Sequence, residues 1–443
     1  MFNDITILKN IFIKPQLDHL KNKWYNPPMA NIPQTLKGFR DFLPADKRRR
    51  DFVASKIKVI FEQFGFEPVE TPTLEYASLL LGKYGDEADK LVYQFTDRGG
   101  REVALRYDQT VPTARFLVQN QNELPTYFRR YQIQNVFRAD KPQKGRYREF
   151  TQCDADVFGS TSPLADAEIL AVFYQIFNSV GLTDVVIHIN DRQTLLSALT
   201  PYATETVTVY SIIQSVDKLD KVDRSVVIAE LIEKGLTQEN ADKALDAIEF
   251  ATMSDNLEKI TTAAFNLGIP VANLKYTSTL ARGLDYYTGL IFEAKLPNAT
   301  GSLGGGGRYD NLIGSLCGTS IPAVGFGLGF DRTVEAAYEA GKIPETLVSA
   351  QVLVTVFDES TSKDAAKMAA YLRQNGIATE LYPAVDKLGK QFKHADQKQI
   401  PIALVIGPDE AAKQQVTIKN LKSGQQRTVK QSVLISEISR QLS

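Results

Sequence analysis

The chain has 443 residues, 43% of them hydrophobic and 23% charged, with a formal net charge of −1; that length holds roughly three domains of about 100–200 residues and excludes a short binding module. No stretch approaches the ~20 apolar residues needed to cross a bilayer, which excludes an integral membrane protein, and Cys153 and Cys317, far apart and without a CxxC pair, argue against a disulfide framework or sulfur-rich zinc site and for a reducing, cytoplasmic setting. Charge is uneven: from Gln351 onward 13 Lys+Arg stand against 9 Asp+Glu, an excess of +4 that leaves −5 for the rest.

Residues 1–28 are Asn-rich, carry Lys without Arg, and end in Asn26-Pro27-Pro28 before Met29. They fit neither a secretory signal nor an Arg-rich transit peptide, and are expected to be a dispensable, disordered extension with Met29 as an alternative start. From Pro44 the spacing of Val53, Ile57, Ile60, Phe61 and Phe64 predicts an amphipathic helix that Gly65 ends. Phe66–Pro72 reads as an extended run whose two prolines suit a sheet edge. Leu91–Phe95, Val103–Arg106, Thr126–Phe137 and Glu149–Val157 read as strands, most of them separated by turn and glycine signals, so antiparallel hairpins are expected rather than a Rossmann pattern. Residues 191–267 read as an inserted helical subdomain. Beyond a linker near 341–349, apolar β-branched runs at Val352–Phe357, Ile402–Ile406 and Val416–Ile418 alternate with helices starting near Ser362 and Asp386, the signature of a small α/β domain over 350–443.

Between Arg129 and Arg148 lie seven basic residues and one acid, in a strand, glycine-bearing turn and strand. A charge run alone is a solvated hairpin; here Arg138 at a strand end can point inward to a ligand while the loop cations project outward, and guanidinium groups suit phosphate oxygens. Leu280–Gly289, with Arg282 beside Gly283 and the pair Tyr286-Tyr287, reads on spacing alone as a strand and turn with core aromatics. Gly304-Gly305-Gly306-Gly307-Arg308-Tyr309-Asp310 and Gly325–Arg332 lack a Gly-Lys-Ser/Thr ending, so no P-loop is present, yet alternating glycines running into a helix let a flat nucleotide lie on bare backbone. His19, His188 and His394 are too scattered for a triad or a His-based metal site.

Together these segments resemble the histidyl-tRNA synthetase family of class II aminoacyl-tRNA synthetases, over nearly the full length from about Met29. Leu280–Gly289 and Gly304–Asp310 resemble its two histidine signatures; the helix with Pro72, the Arg138 hairpin and Gly325–Arg332 resemble the three class motifs. The resemblance implies an α+β fold: an antiparallel β-sheet catalytic core, six-stranded, over 29–345 with flanking helices and a helical insertion, then a C-terminal α/β anticodon-binding domain. It implies ATP and Mg2+, L-histidine and tRNA(His) as partners, and a homodimer. Position by position, it implies Arg138 on the ATP α-phosphate, Arg332 on the γ-phosphate, and Arg282 bridging the α-phosphate and the histidine carboxylate, with Asp140 and Arg146 also at ATP. Asp108, Thr110 and Gln152 would serve the histidine α-amino end, and Asp156, Tyr287 and Tyr309 the imidazole, with Tyr286 also at the histidine. Gln143, Lys144 and Arg148 of the hairpin and Lys387 and Lys390 of the tail domain would meet tRNA. No residue is assigned as a metal ligand. Asp108, Asp140 and Asp156 stand where some members carry glutamate, and Ala139 where histidine is common.

Two other functions fit parts of the pattern. A histidine-sensing regulatory subunit of ATP phosphoribosyltransferase shares the core but typically lacks the C-terminal domain and breaks the histidine signature, whereas Arg282 and 352–443 are present here. A generic RNA-binding protein explains the basic hairpin and leaves the remaining signature unexplained.

Overall fold

The computed structural model describes residues 33–81, 91–141, 147–282, 286–297, 301–345 and 347–442. The N-terminal extension, and with it the hairpin tip carrying Gln143, Lys144 and Arg146, lies outside the described residues. The first helix, Pro44–Gln63, starts on a proline whose missing N–H has no helical partner to lose, and buries Val53, Ile57 and Phe61 along one stripe. Gly65 follows at φ +71°, a left-handed setting that turns the chain out of the helix without a Cβ clash.

Strand β1 (Glu67–Pro68) then joins the main sheet at its edge, where a proline without an N–H is tolerated. Strands β2 (Leu74–Tyr76), β3 (Gln94–Thr96) and β4 (Glu102–Leu105) form a separate small sheet. The long hairpin β5 (Phe128–Phe137) and β6 (Glu149–Phe158), with β7 (Val186–Asp191), β8 (Leu274–Tyr276), β9 (Leu290–Lys295), β10 (Gly304–Arg308) and β11 (Ala323–Gly329), completes the main sheet in the order β1-β5-β6-β11-β10-β9-β7-β8. The run from β5 to β7 is antiparallel throughout, which is the six-stranded sheet the resemblance implied; β1 and β8 add one short parallel strand at each edge, so the whole is an eight-stranded mixed sheet.

Two-residue alternation gives this sheet two different faces. Tyr131, Cys153, Ala155, Val157, Phe292, Val324, Phe326 and Leu328 join one hydrophobic core with the helices Pro44–Gln63, Pro163–Ser179, Asp255–Asn266 and Phe330–Glu339. Helices cover that face, and the other carries polar groups and glycines, an arrangement antiparallel sheets permit.

The helices Arg192–Leu199, Val209–Val216, Arg224–Lys234 and Gln238–Glu249 bury their own cluster, including Leu195, Leu199, Ile212, Ile213, Leu231 and Leu245. Helix Asp255–Asn266, which the sequence placed in the same insertion, instead sends Leu257, Ile260 and Ala264 into the main core against helix Pro163–Ser179. Its apolar stripe has the same period as its neighbours', so the sequence alone does not show which core it enters.

The C-terminal unit is a five-stranded mixed sheet of β12 (Val352–Val354), β13 (Thr379–Leu381), β14 (Ile402–Val405), β15 (Gln415–Asn420) and β16 (Gln426–Lys430), in the order β13-β12-β14-β15-β16. Val352, Val354, Met368, Leu372, Ile402, Leu404 and Ile438 fill its core beneath the helices Ser362–Gln374 and Leu434–Leu442.

Candidate active site

Register on the open face builds the site. Opposed pairs place Gln132 against Asp154, Asp154 against Gly327, Gly327 against Gly305 and Gly305 against Glu293. The next row runs Arg130, Asp156, Gly325, Gly307, Ile291. Two rows of side chains therefore face each other across a floor of bare backbone. Glycine is required there: a Cβ at Gly325 would sit 1.9 Å from Asp156 Oδ1, and one at Gly307 would sit 2.8 Å from the Tyr287 ring.

Over this floor lies a cavity of about 370 Å³, walled by Thr110, Gln152, Asp154, Asp156, Arg282, Tyr286, Tyr287 and Tyr309. The Tyr309 hydroxyl donates a short hydrogen bond to Asp156 Oδ1, and Arg130 Nη2 lies 2.6 Å from Asp156 Oδ2. Burial pushes the Asp156 carboxyl up, with Arg130 and the Tyr309 hydrogen bond pulling the other way. Burial also raises the Tyr309 and Tyr287 hydroxyls well above their usual range, so both remain protonated donors. Asp154 has one oxygen accepting from Gln152 Nε2 at 3.0 Å, while its buried Oδ1 has no hydrogen-bond partner. Burial pushes its carboxyl up to about 8; Arg130 opposes this, and Asp156 and Asp108 add to it. Asp154 and Asp156 thus share one buried guanidinium, an imbalance that a retained proton or a cationic ligand group corrects.

Asp108 does not line the cavity. Its Oδ1 accepts from Val111 N–H at 3.2 Å at the start of helix Thr110–Gln119, and burial raises its carboxyl.

Leu280–Gly289 is not a strand in its described parts, Leu280–Arg282 and Tyr286–Gly289. The carbonyls of Ser278 and Leu280 are taken by the Asn190 amide at 2.7 and 2.9 Å rather than by a partner strand, which leaves the segment as a loop lying against the cavity. Tyr286 and Tyr287 pack in its wall with ring centroids 4.4 Å apart and planes tilted by 50°.

Arg282 also belongs to a second cavity of about 320 Å³, which it shares with Arg138, Asp140, Tyr147, Phe150, Thr151, Asp331 and Arg332. Arg138 Nε donates to the Tyr107 carbonyl at 3.0 Å, and its guanidinium lies 5.2 Å from the Phe150 ring centroid. Arg332, three residues into the helix that β11 feeds, donates to the Ser302 carbonyl at 3.0 Å. Asp331 is engaged by Arg50 and, at 3.2 Å, by Arg40. Arg138, Arg282 and Arg332 come from three distant segments and converge on one cavity. Among the described residues no three His, Cys, Asp or Glu side chains group as a metal site. Asp140 also lines this cavity, and its carboxylate is the kind of oxygen donor that would hold a Mg2+.

Arg148 stands at the foot of the hairpin, donating to the Asp140 carbonyl at 3.0 Å and the Lys37 carbonyl at 3.4 Å, so it fixes the N-terminal segment there. Lys387 and Lys390 are exposed in the C-terminal unit, around the start of helix Leu388–Gln397, and Lys390 pairs with Asp386 at 2.8 Å. Sequence reasoning missed Asp154, Arg130 and Glu293. The first had a signal: Gln152, Asp154 and Asp156 share one face of a strand by period two.

Residues 38–333 match the family profile described as histidyl-tRNA synthetase, and 351–441 match that of an anticodon binding domain. The histidine–tRNA ligase of Cytophaga hutchinsonii is 40% identical over 438 residues, covering 89% of this chain and 96% of that protein. That of Rhodopirellula baltica is 38% identical over 421 residues, covering 90% and 95%. The crystal structure of histidyl-tRNA synthetase from Nostoc sp. PCC 7120 superposes with a TM-score of 0.82 at 32% identity, over 93% of this chain and all of that one. An ATP phosphoribosyltransferase regulatory subunit/histidyl-tRNA synthetase from Bacillus halodurans, at 22% identity and a TM-score of 0.69, shares the fold. The chain belongs to the histidyl-tRNA synthetase family.

Proposed function

We propose that the two cavities lined by Arg282 and the glycine strands perform the ATP-dependent half of histidine–tRNA ligation, with the residue roles as follows. Histidine lies on the glycine floor, and ATP lies in the cavity of Arg138, Arg282 and Arg332. A histidine carboxylate oxygen attacks the α-phosphorus in line, the bond to the bridging oxygen breaks, and pyrophosphate leaves. The adenylate's carbonyl is then attacked by the 3′-hydroxyl of the terminal adenosine of tRNA(His), and AMP leaves. No side chain needs to act as general base in the first step; positioning and neutralisation of phosphoryl charge carry it.

Arg138 holds the α-phosphate, Arg332 the γ-phosphate, and Arg282 spans the α-phosphate and the amino-acid carboxylate. Arg146 extends the nucleotide contacts, and Asp140 would hold the Mg2+ that accompanies ATP. Asp156 and the Tyr309, Tyr287 and Tyr286 hydroxyls read the imidazole; Thr110 and Gln152 face the α-ammonium. Asp154 joins that group, since it lines the cavity and has a buried oxygen without a hydrogen-bond partner, while Asp108 acts from behind Thr110 by charge. Gln143, Lys144, Arg148, Lys387 and Lys390 serve tRNA. A homodimer and a cytoplasmic location complete the proposal. Leu74, Tyr76 and Phe95, exposed on the small sheet, supply apolar surface for a partner copy, and among the described residues no helix is long and apolar enough to cross a membrane.

The observation that carries these roles is that one arginine, Arg282, walls both cavities. ATP–pyrophosphate exchange with each amino acid supplied singly tests them: exchange that requires histidine supports the assignment. Exchange with a different amino acid, or none while histidine still binds, contradicts it.

A further inference from the structure

We propose that Glu293 and Lys295 of β9, together with Asp220 of the helical insertion, are positioning residues that aim Arg282, so that the seating of the insertion sets the rate of amino-acid activation. Glu293 sits in a strand that is apolar apart from it and the terminal Lys295, with its side chain only 5% exposed. An acid so placed is costly unless both oxygens are paired. Both are: Oε2 lies 2.6 Å from Arg282 Nε and Oε1 lies 2.5 Å from Lys295 Nζ. Arg282 Nη2 donates to Ser302 Oγ at 2.7 Å. Two of the three guanidinium nitrogens are thereby fixed from one side. The third, Nη1, stands over the glycine floor, 3.1 Å from where a Gly305 Cβ would be. That is the seam between the two cavities, where the proposed function needs a cation to span phosphate and carboxylate.

Lys295 continues the chain of charges. Its Nζ lies 3.4 Å from Asp220 Oδ2, and Asp220 follows helix Val209–Val216 of the insertion. Arg282, Glu293, Lys295 and Asp220 therefore alternate in sign along the wall of a third cavity of about 680 Å³ between insertion and sheet. The alternation matters to the chemistry. Glu293 alone would hold Arg282 as a tight pair and set a negative field against incoming phosphates; Lys295 divides that charge and leaves Arg282 available. Asp220 in turn draws part of the Lys295 charge toward the insertion. Burial disfavours the Lys295 ammonium, but Glu293 and Asp220 outweigh it and hold the proton more firmly than usual.

This inference rests on the proposed function, and histidine-dependent ATP–pyrophosphate exchange by the full-length wild type is its control. In the same assay Glu293→Gln is expected to lower kcat roughly 10–100-fold with KM for histidine and ATP within about threefold, because aim rather than contact is lost. Glu293→Asp should restore part of the rate, and Asp220→Asn alone should cost about three- to fivefold. In the Glu293→Gln background Asp220→Asn should have no further effect, since the link it acts through is gone. A Glu293→Gln variant within twofold of wild type overturns the inference. So does an Asp220→Asn effect of equal size in both backgrounds. If Glu293→Gln does not fold, Asp220→Asn and Lys295→Met form the cycle, and additive effects there overturn the relay. A wild type lacking histidine-dependent exchange overturns the underlying function instead, which keeps the two failures distinct.

Discussion

Arg130 and Asp156 face each other across the β5–β6 pair, with Arg130 Nη2 2.6 Å from Asp156 Oδ2 and their side chains 1% and 7% exposed. The basic run that begins beside Arg130 is therefore not one patch: this arginine belongs to the floor of the amino-acid cavity. Arg130→Met would leave Asp156 buried without its counter-charge, an arrangement that costs about 3–5 kcal/mol when a buried pair is broken. A clear fall in the urea midpoint is expected; a midpoint unchanged from wild type contradicts the pairing.

Asp154 makes stability depend on pH in a direction opposite to a salt-bridged carboxylate. Burial lifts its carboxyl to about 8 from an ordinary value near 3.8. Between those values the folded chain holds a proton the unfolded chain has released, so stability falls as pH rises through that window and levels off above it. Asp154→Asn removes the effect. Relative to wild type the variant should gain stability progressively from pH 4 to about 8, by on the order of a few kcal/mol in full. Melting temperatures of both proteins across that range check this; a difference independent of pH contradicts it.

Gly325→Ala places a methyl group 1.9 Å from Asp156 Oδ1. The carboxylate must move off Tyr309 and Arg130, or the strand must shift. Overpacking of this kind costs about 1–3 kcal/mol, which appears here as a rise of roughly tenfold or more in KM for histidine with ATP binding little changed. Calorimetric titration of each ligand separates the two.

Lys387 and Lys390 are exposed in the C-terminal unit, remote in sequence from every residue of the two cavities. The double variant Lys387→Ala/Lys390→Ala is expected to raise KM for tRNA several-fold and to reduce the salt slope of tRNA binding by about 1–2, while histidine-dependent pyrophosphate exchange stays at the wild-type rate. Unaltered tRNA affinity across salt concentrations would remove both lysines from the interface.

The sequence shows the helix from Pro44, the β5–β6 hairpin and the glycine strands because each carries its own local period or breaker. It also marks Arg138, Arg282 and Arg332, each beside a turn or helix start. Their convergence comes from register: Asp154 meets Gly327 and Gly305 meets Glu293 through pairings between distant segments. Arg130 was hidden inside a charge run, where composition outweighs alternation. Glu293 was hidden inside an apolar strand, where one acid reads as an exposed position until its neighbours are known. Helix Asp255–Asn266 has the same amphipathic period as the insertion helices, and only packing assigns it to the main core.

The central claim is that Arg282 serves both cavities at once, and the Arg282→Ala variant tests it most directly in ATP–pyrophosphate exchange, with thermal melting to confirm folding. The side chain is 43% exposed, so the fold should survive its loss. Histidine-dependent exchange should fall by about 100-fold or more, the scale of losing one preorganised charge at a reacting phosphoryl group. Exchange near the wild-type rate in a folded Arg282→Ala protein would contradict the account.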